Sequence, residues 1–406
     1  MPKNKEQTGS DLPLFGIKVI EISHMVMGPT VGLILADMGA EVIKVEPLGG
    51  DKTRRLKGSG AGYFPMYNRN KKSIAIDLKT PQGQAIIHKL IMGADILIEN
   101  FRTGMMEKLG LGYDALAAKH KGLIYCSEKG FLAGPYENRT ALDEMAQMMS
   151  GLAYMTGPPG RPLRAGASVV DVLGGVFGAT AILAALAERT RTGRGQYVKS
   201  ALYESAVFLV GQHIAQYAVT ATPAPPMPVR ISAWAVYDIF DTADSQIFIG
   251  VVSDSQWQIF CDIFDFPQWA DEPTLATNNM RVAKREEILP PIRDMFAKQT
   301  AAEIIAKLEA AGLPFAPVRK PEELADDPHL LQSNGLLDLH LPDNAQAVKL
   351  PALPIEMQNR RFDCHTAIPA IGAHTLTILQ EAGLSKQEIA ELHAQAIIEG
   401  ENLPNK

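Results

Sequence analysis

Short apolar runs alternate with amphipathic stretches over the first half of the chain. KVIEIS (Lys18 to Ser23), EVIKVE (Glu41 to Glu46), SIAIDL (Ser73 to Leu78), DILIEN (Asp95 to Asn100) and LIYCSEKG (Leu123 to Gly130) are each rich in Ile, Val and Leu. Near-continuous apolar runs of that length are the pattern of strands buried on both faces. Between the first two lies HMVMGPTVGLILADMGA, a Gly-Pro turn running into a helix that ends at Gly39, and a second helix is expected from Pro81 to about Met92. Strand, helix, strand in so short a space predicts βαβ units with right-handed crossovers. The expected class is α/β: a Rossmann-like open parallel sheet.

A different pattern begins at AGASVVDVLGGVFGATAILAALAERTRTGRG (Ala165 to Gly195). Everything between Asp171 and Leu186 is apolar or small, as in a helix buried on most of its surface, and Asp171 stands at its mouth. Asp is a preferred cap, and type and position alone favour that reading. The alternative is a partly desolvated carboxylate, kept ionised by the helix N-terminus and able to act as a nucleophile. Further on, TATPAPPMPVR (Thr220 to Arg230) breaks all periodicity and reads as a stiff linker. AVYDIF and QIFIGVV around DTADS predict a hairpin, followed by helices near Gln256 to Phe264, Lys284 to Lys298 and Ala301 to Ala311, and a last helix is expected over Ser385 to Ile398. The expected division is therefore residues 1–222 as the N-terminal part of a large α/β domain, 223–230 as linker, 231–324 as a small α+β domain, and 325–406 as a return segment completing the large domain.

Of the 406 residues, 46% are hydrophobic and 21% charged, enough for a large core, and the net charge of −6 argues against general binding to nucleic acid or to an anionic membrane. A polyanionic ligand must then be small and locally recognised. Cys126, Cys261 and Cys364 form no CxxC pair, so neither a disulfide framework nor a thiolate metal site is expected, and a reducing, cytoplasmic setting is. The leader MPKNKEQTGSDLP has no apolar core behind its basic residues and predicts no secretion signal, and no apolar run reads as an anchored membrane span. The turn SHMVMGPTVG lacks GxGxxG, and no GxxxxGK[ST] occurs, which disfavours nicotinamide binding. Lys52, Arg54, Arg55, Arg69, Lys71, Lys72 and Lys79 cluster near predicted strand ends, either as phosphate ligands or as solvated loop charges.

Several stretches together resemble the class III CoA-transferase family, which includes formyl-CoA transferase, the carnitine CoA-transferases and the α-methylacyl-CoA racemases. They are GIKVIEISHMVMGPTVGLILADMGAEVIKVEPLGGD (Gly16 to Asp51), NRNKKSIAIDLKTPQG (Asn68 to Gly83), ILIENFRTGMMEKLGLGYDAL (Ile96 to Leu116), the Asp171 helix with TGRGQYV, and IGAHT near the C-terminus. The resemblance implies that Asp171 is the nucleophile, forming an aspartyl-CoA thioester as CoA passes from an acyl-CoA to a free carboxylic acid. It implies coenzyme A contacts at Val26, Met27, Ile76, Asp77, Leu78, Lys79, Asn100, Phe101, Arg102, Lys108, Thr140, Ala141, Leu142 and Asp143. It further implies an interlocked-ring homodimer, no metal and no tightly bound cofactor, with coenzyme A as a substrate moiety. Water must be kept from the intermediates, a role for the small domain.

The sequence also departs from the family. Pro47 stands where a relative has arginine, and the glycine-rich loop that shields formyl-CoA transferase sites has no counterpart around Arg230 to Trp234. The racemases carry a histidine in a GHD-like stretch; here Ala141, Leu142 and Asp143 occupy it, and Leu142 transfers no proton. A racemase, or a CoA-binding protein without catalysis, is the rival reading. His24 and His374 are the remaining histidines considered for the site, and Arg102, Arg139 and Arg164 are candidates to pair a second carboxylate, which would make the substrate a dicarboxylate.

Overall fold

The computed structural model describes residues 11–230, 232–341 and 347–404, so most of the leader read as lacking a secretion signal lies outside the described residues. The chain divides into one unit of Met1–Pro228 with Pro328–Lys406, and a second of Val229–Asp327.

The first unit opens with β1 (Lys18–Ile22), β2 (Glu41–Glu46), β3 (Lys71–Ile76), β4 (Ile96–Glu99), β5 (Ile124–Lys129) and β6 (Tyr197–Ala201). The second unit holds β7 (Tyr237–Asp241), β8 (Gln246–Gly250) and β9 (Phe315–Pro317), an antiparallel sheet whose core includes Trp257, Phe260, Phe264 and Phe296 from its helices. After it the first unit resumes with the ribbons β10 (Leu336–His340) with β11 (Ala347–Pro351) and β12 (Glu356–Met357) with β13 (Arg360–Arg361), then two helices and β14 (Ile398–Glu399).

Among the described residues the main sheet runs β14-β3-β2-β1-β4-β5-β6. β1 to β6 are parallel, with Val19 opposite both Val42 and Ile96, and only β14 is antiparallel, with Ile398 opposite Ile76. The period of two sends Ile20, Ile22, Ile43 and Ile74 to one face, against Ile87 and Ile91 of the helix Pro81–Met92. Val19, Val42, Ile96 and Ile98 go to the other, against Val31 and Leu35 of the first helix, Met27–Asp37, and Ile182 of the Asp171 helix. Strand order reverses between β1 and β4, and an open parallel sheet binds its ligands outside the carboxyl ends at such a point.

Two boundaries differ from the sequence reading. The strand expected at Ser73 to Leu78 lies two residues earlier, because Lys71 and Lys72 pair with Val42 and Ile43, and Asp77 starts a turn by accepting the Lys79 N–H at 3.0 Å. The last helix stops at Ala394 rather than Ile398, since Ala396 adopts a left-handed φ of 53° and Ile398 joins the sheet edge. Its start is the capping box of Ser385 with Glu388.

The Asp171 helix spans Val169–Thr192 and is long and apolar enough to cross a membrane. Here it lies on the sheet, with Ala179, Ile182 and Ala185 in the core. Gly174, Gly175 and Gly178 share one face of it. A Cβ at Gly174 would strike the Met27 side chain, one at Gly175 would lie 2.7 Å from the Met27 carbonyl oxygen, and one at Gly178 would meet Glu128. The first two glycines let this helix close on the first helix, at Gly175 as far as the Met27 backbone, and Gly178 leaves room for Glu128 of β5.

Candidate active site

Asp171 occupies the third helical position, but it is not what satisfies the helix end. Ser168 at the N-cap makes no side-chain cap bond, and the Val169 N–H goes to the Ala167 carbonyl at 2.8 Å. The Val170 and Asp171 N–H groups both donate to Oδ2 of Asp143, at 3.0 and 3.1 Å. Among the described residues the Asp171 carboxylate has no hydrogen bond or ion pair. It is half-buried, and burial, with the negative charge of Asp143, pushes its pKa up to about 7 against the opposing pull of Arg164. This corrects the expectation that the helix would hold Asp171 ionised: another carboxylate has taken that end.

The short helix Tyr63–Tyr67 stands over the same spot. Tyr63 Oη lies 3.4 Å from Ser168 Oγ, and Tyr67 has its hydroxyl pKa pushed up to about 12 by burial and then by the charge of Asp171. Arg164 donates to Glu144 at 3.0 Å and stands 3.7 Å from Asp143.

A cavity of about 420 Å³ opens at the carboxyl ends of the strands. Its floor is apolar: Ile22 from β1, Val45 from β2, Ile76 and Leu78 at the end of β3, then Phe101, Met105 and Leu109 after β4. His24, Pro47, Lys52 and Lys79 line it as well. The turn that carries His24 continues into Met27, whose side chain meets Gly174 one turn after Asp171, so three residues join the cavity to the mouth of the Asp171 helix.

The structure brings Ile76, Asp77, Leu78, Lys79 and Phe101 together on this cavity. Val26 and Met27 are buried, backbone included, and neither lines the cavity; the Val26 carbonyl accepts from the Thr30 N–H and hydroxyl, both at 2.8 Å. Asn100 holds the turn, donating to the His24 carbonyl at 2.7 Å and accepting its N–H at 3.1 Å. Arg102 lies at a separate, smaller depression with Lys129 and Lys199, while Lys108 is exposed outside the cavity lining. Thr140 and Leu142 are exposed with Ala141 partly so, whereas Asp143 is buried with its carboxylate on the helix end.

Several candidate phosphate ligands are otherwise engaged. Arg69 is buried against Asp37 at 2.7 Å, Arg54 binds Glu46 at 2.7 Å, Lys72 binds Glu41 at 2.7 Å, and Arg55 donates to the Gly49 carbonyl. Lys71 is fully buried on Glu21 at 2.7 Å; beside it Lys44 bonds Glu21 at 3.1 Å and Asp51 at 3.3 Å. Burial raises the pKa of Glu21, but Lys71 and Lys44 outweigh it and bring it below the ordinary value. This buried cluster was not anticipated; the signal was a charge at the middle of each of two apolar strands, in VIEI and VIKV. His374 is likewise structural, its Nδ1 accepting the Ser73 N–H at 3.2 Å. Arg139 lies over the ring of Tyr136, 4.9 Å from its centre. Among the described residues no group of His, Cys, Asp and Glu is placed to hold a metal ion.

A doubly wound α/β sheet with an apolar cavity at its switch point places a ligand site at the carboxyl ends of the strands, and the turn from His24 to Met27 leads from it to the helix mouth that carries the half-buried Asp171. Residues 14–375 match the model of CoA-transferase family III, and the chain belongs to that family. It is 35% identical over 387 residues to the succinate–glutarate CoA-transferase of Agrobacterium fabrum, covering 91% of this chain and 95% of that one. To the human succinyl-CoA:glutarate CoA-transferase it is 30% identical over 395 residues, covering 95% and 90%. The crystal structure of a CaiB/BaiF family protein from Brucella suis superposes with a TM-score of 0.82 at 30% identity, over 91% of this chain and 99% of that one. The protein is therefore an enzyme that transfers CoA between an acyl-CoA and a carboxylate.

Proposed function

We propose that this enzyme exchanges CoA between dicarboxylic acids through a covalent adduct on Asp171. The ionised Asp171 attacks the thioester carbonyl and expels the CoA thiolate, leaving a mixed anhydride. The thiolate then attacks the aspartyl carbonyl of that anhydride, releasing the donor acid and leaving an aspartyl-CoA thioester. The acceptor carboxylate repeats the two steps in reverse order. Each thioester is close in energy to the others, so no ATP or metal is needed. The observation that carries this reading is an unpaired, half-buried carboxylate at a helix mouth beside an otherwise fully partnered helix end.

In this reading the nucleotide part of coenzyme A lies on the apolar floor of the cavity at the ends of β1 to β4, with Lys52 and Lys79 toward its phosphates in place of the arginine that Pro47 replaces. The relatives named for succinate and glutarate support a dicarboxylate. With Arg164 committed to Glu144 and Asp143, Arg102 and Arg139 remain to pair the second carboxylate. An interlocked homodimer accounts for an exposed apolar row on neighbouring helices: Val176, Phe208, Ile214, Tyr217 and Val219. Three unpaired cysteines fit a reducing cytoplasm.

The test is a donor and acceptor screen by mass spectrometry with succinyl-CoA as first donor, combined with hydroxylamine or borohydride trapping. The expected result is a modified Asp171 peptide, and loss of at least about 10³-fold in transfer for Asp171→Ala. Full transfer by that variant overturns the mechanism. Rapid α-deuterium exchange of a 2-methylacyl-CoA in D₂O without an acceptor acid would favour the racemase instead.

A further inference from the structure

Helix N-termini attract nearby carboxylates, and an acid at the third position commonly folds back to cap its own first turn. Asp171 does not. Two donors of that first turn, the N–H groups of Val170 and of Asp171 itself, are both held by Oδ2 of Asp143, which comes from another helix 28 residues earlier. The other oxygen of Asp143 accepts from Gln147 Nε2 at 2.5 Å, and Gln147 Oε1 accepts the Ala165 N–H at 2.8 Å. Asp143 and Gln147 are both buried. The pair thus clips both ends of the loop that enters the Asp171 helix.

We infer that Asp143 is the positioning residue of this enzyme: by occupying the helix donors with its own carboxylate, it leaves the Asp171 carboxylate unbonded and turned toward substrate. This rests on Asp171 as nucleophile. A carboxylate free of hydrogen bonds is less stabilised, hence more nucleophilic, and need not break an internal bond before it attacks. The negative charge of Asp143 also makes Asp171 more basic, hence a stronger nucleophile once ionised. The other groups acting on Asp171 are Arg164, which opposes this, and Tyr67, with Tyr63 beside it; Glu128 lies two turns further along the helix against Gly178.

The test uses the full-length enzyme and follows Asp171 adduct formation from succinyl-CoA against pH, with thermal unfolding measured on the same samples. In Asp143→Asn an oxygen remains to accept the helix donors while the charge is gone. The acid limb of the profile should move down by about one pH unit or more. A group that served only as a cap would lower thermal stability and leave that limb in place, and a limb within about 0.3 unit of the parent overturns the inference. In Asp143→Ala, Asp171 becomes free to fold onto its own helix. Adduct formation at saturating succinyl-CoA should fall about tenfold or more with KM changed less than about threefold, and a rate within about twofold of the parent also overturns it. Should the alanine variant not fold, the near-isosteric asparagine variant carries the test alone. A parent enzyme that forms no adduct on Asp171 removes the nucleophile reading and this inference with it; a parent that forms one while the asparagine limb stays put removes only the inference.

Discussion

Two groups of carboxylates lie near the same sheet and end differently. Glu21 and Asp51 meet Lys44 and Lys71 within 3.3 Å, and Lys44 and Lys71 also donate to the Ser23 and Pro29 carbonyls at 2.9 Å. Asp143 and Asp171, at the helix mouth, carry like charges, and only Asp143 has partners in hydrogen-bond range. The first arrangement cancels charge against charge and fixes the turn between β1 and the first helix. The second leaves one charge over. A buried acid that is fully answered serves the architecture; one left unanswered is held there at a cost in stability.

The largest effect that separates the two groups is expected at Glu21. Glu21→Ala leaves Lys71 buried without its acid and Lys44 with Asp51 alone, and should lower unfolding free energy by about 3–5 kcal/mol in urea titration. A loss under about 1 kcal/mol would mean that the cluster is not the fixed point described.

Asp171→Asn should act in the opposite direction. The Asp171 pKa is raised to about 7, so relative to the unfolded chain its stabilising protonated form is fully present only below the ordinary Asp range and is lost as pH rises through 7. The asparagine variant should therefore match the parent near pH 4 and exceed it at pH 8, by about 1–3 kcal/mol after allowance for partial exposure. Equal stability at both pH values would show Asp171 to be an ordinary solvated acid.

The smallest effect belongs to the half-exposed pair Lys72 and Glu41, 2.7 Å apart. Lys72→Ala should cost at most about 1 kcal/mol in the same titration. A larger loss would erase the contrast between buried and surface charge.

The strands were legible because parallel strands buried on both faces leave continuous apolar runs, and the Asp171 helix because its stretch of small and apolar residues is long. The position of Asp171 was legible too. What surrounds it was not. Asp143 reaches the helix end only through the tertiary fold, and nothing in ALDEMAQ marks its aspartate as the cap of a distant helix. Loop lysines and arginines such as Arg69 and Lys71 looked alike whether solvated or buried, since their partners Asp37 and Glu21 lie on other elements. The β14 edge was hidden because a two-residue strand has no period to read.

The near contact at Gly174 and Gly175 has a mechanical consequence. Because the Met27 and Thr30 side chains and the Met27 carbonyl fill the space a Cβ at Gly174 or Gly175 would need, the first helix and the segment bearing Asp171 are interlocked rather than free to slide past one another. The spacing between the cavity at the strand ends and the Asp171 carboxylate is thereby set at folding, like the gauge of a rail track.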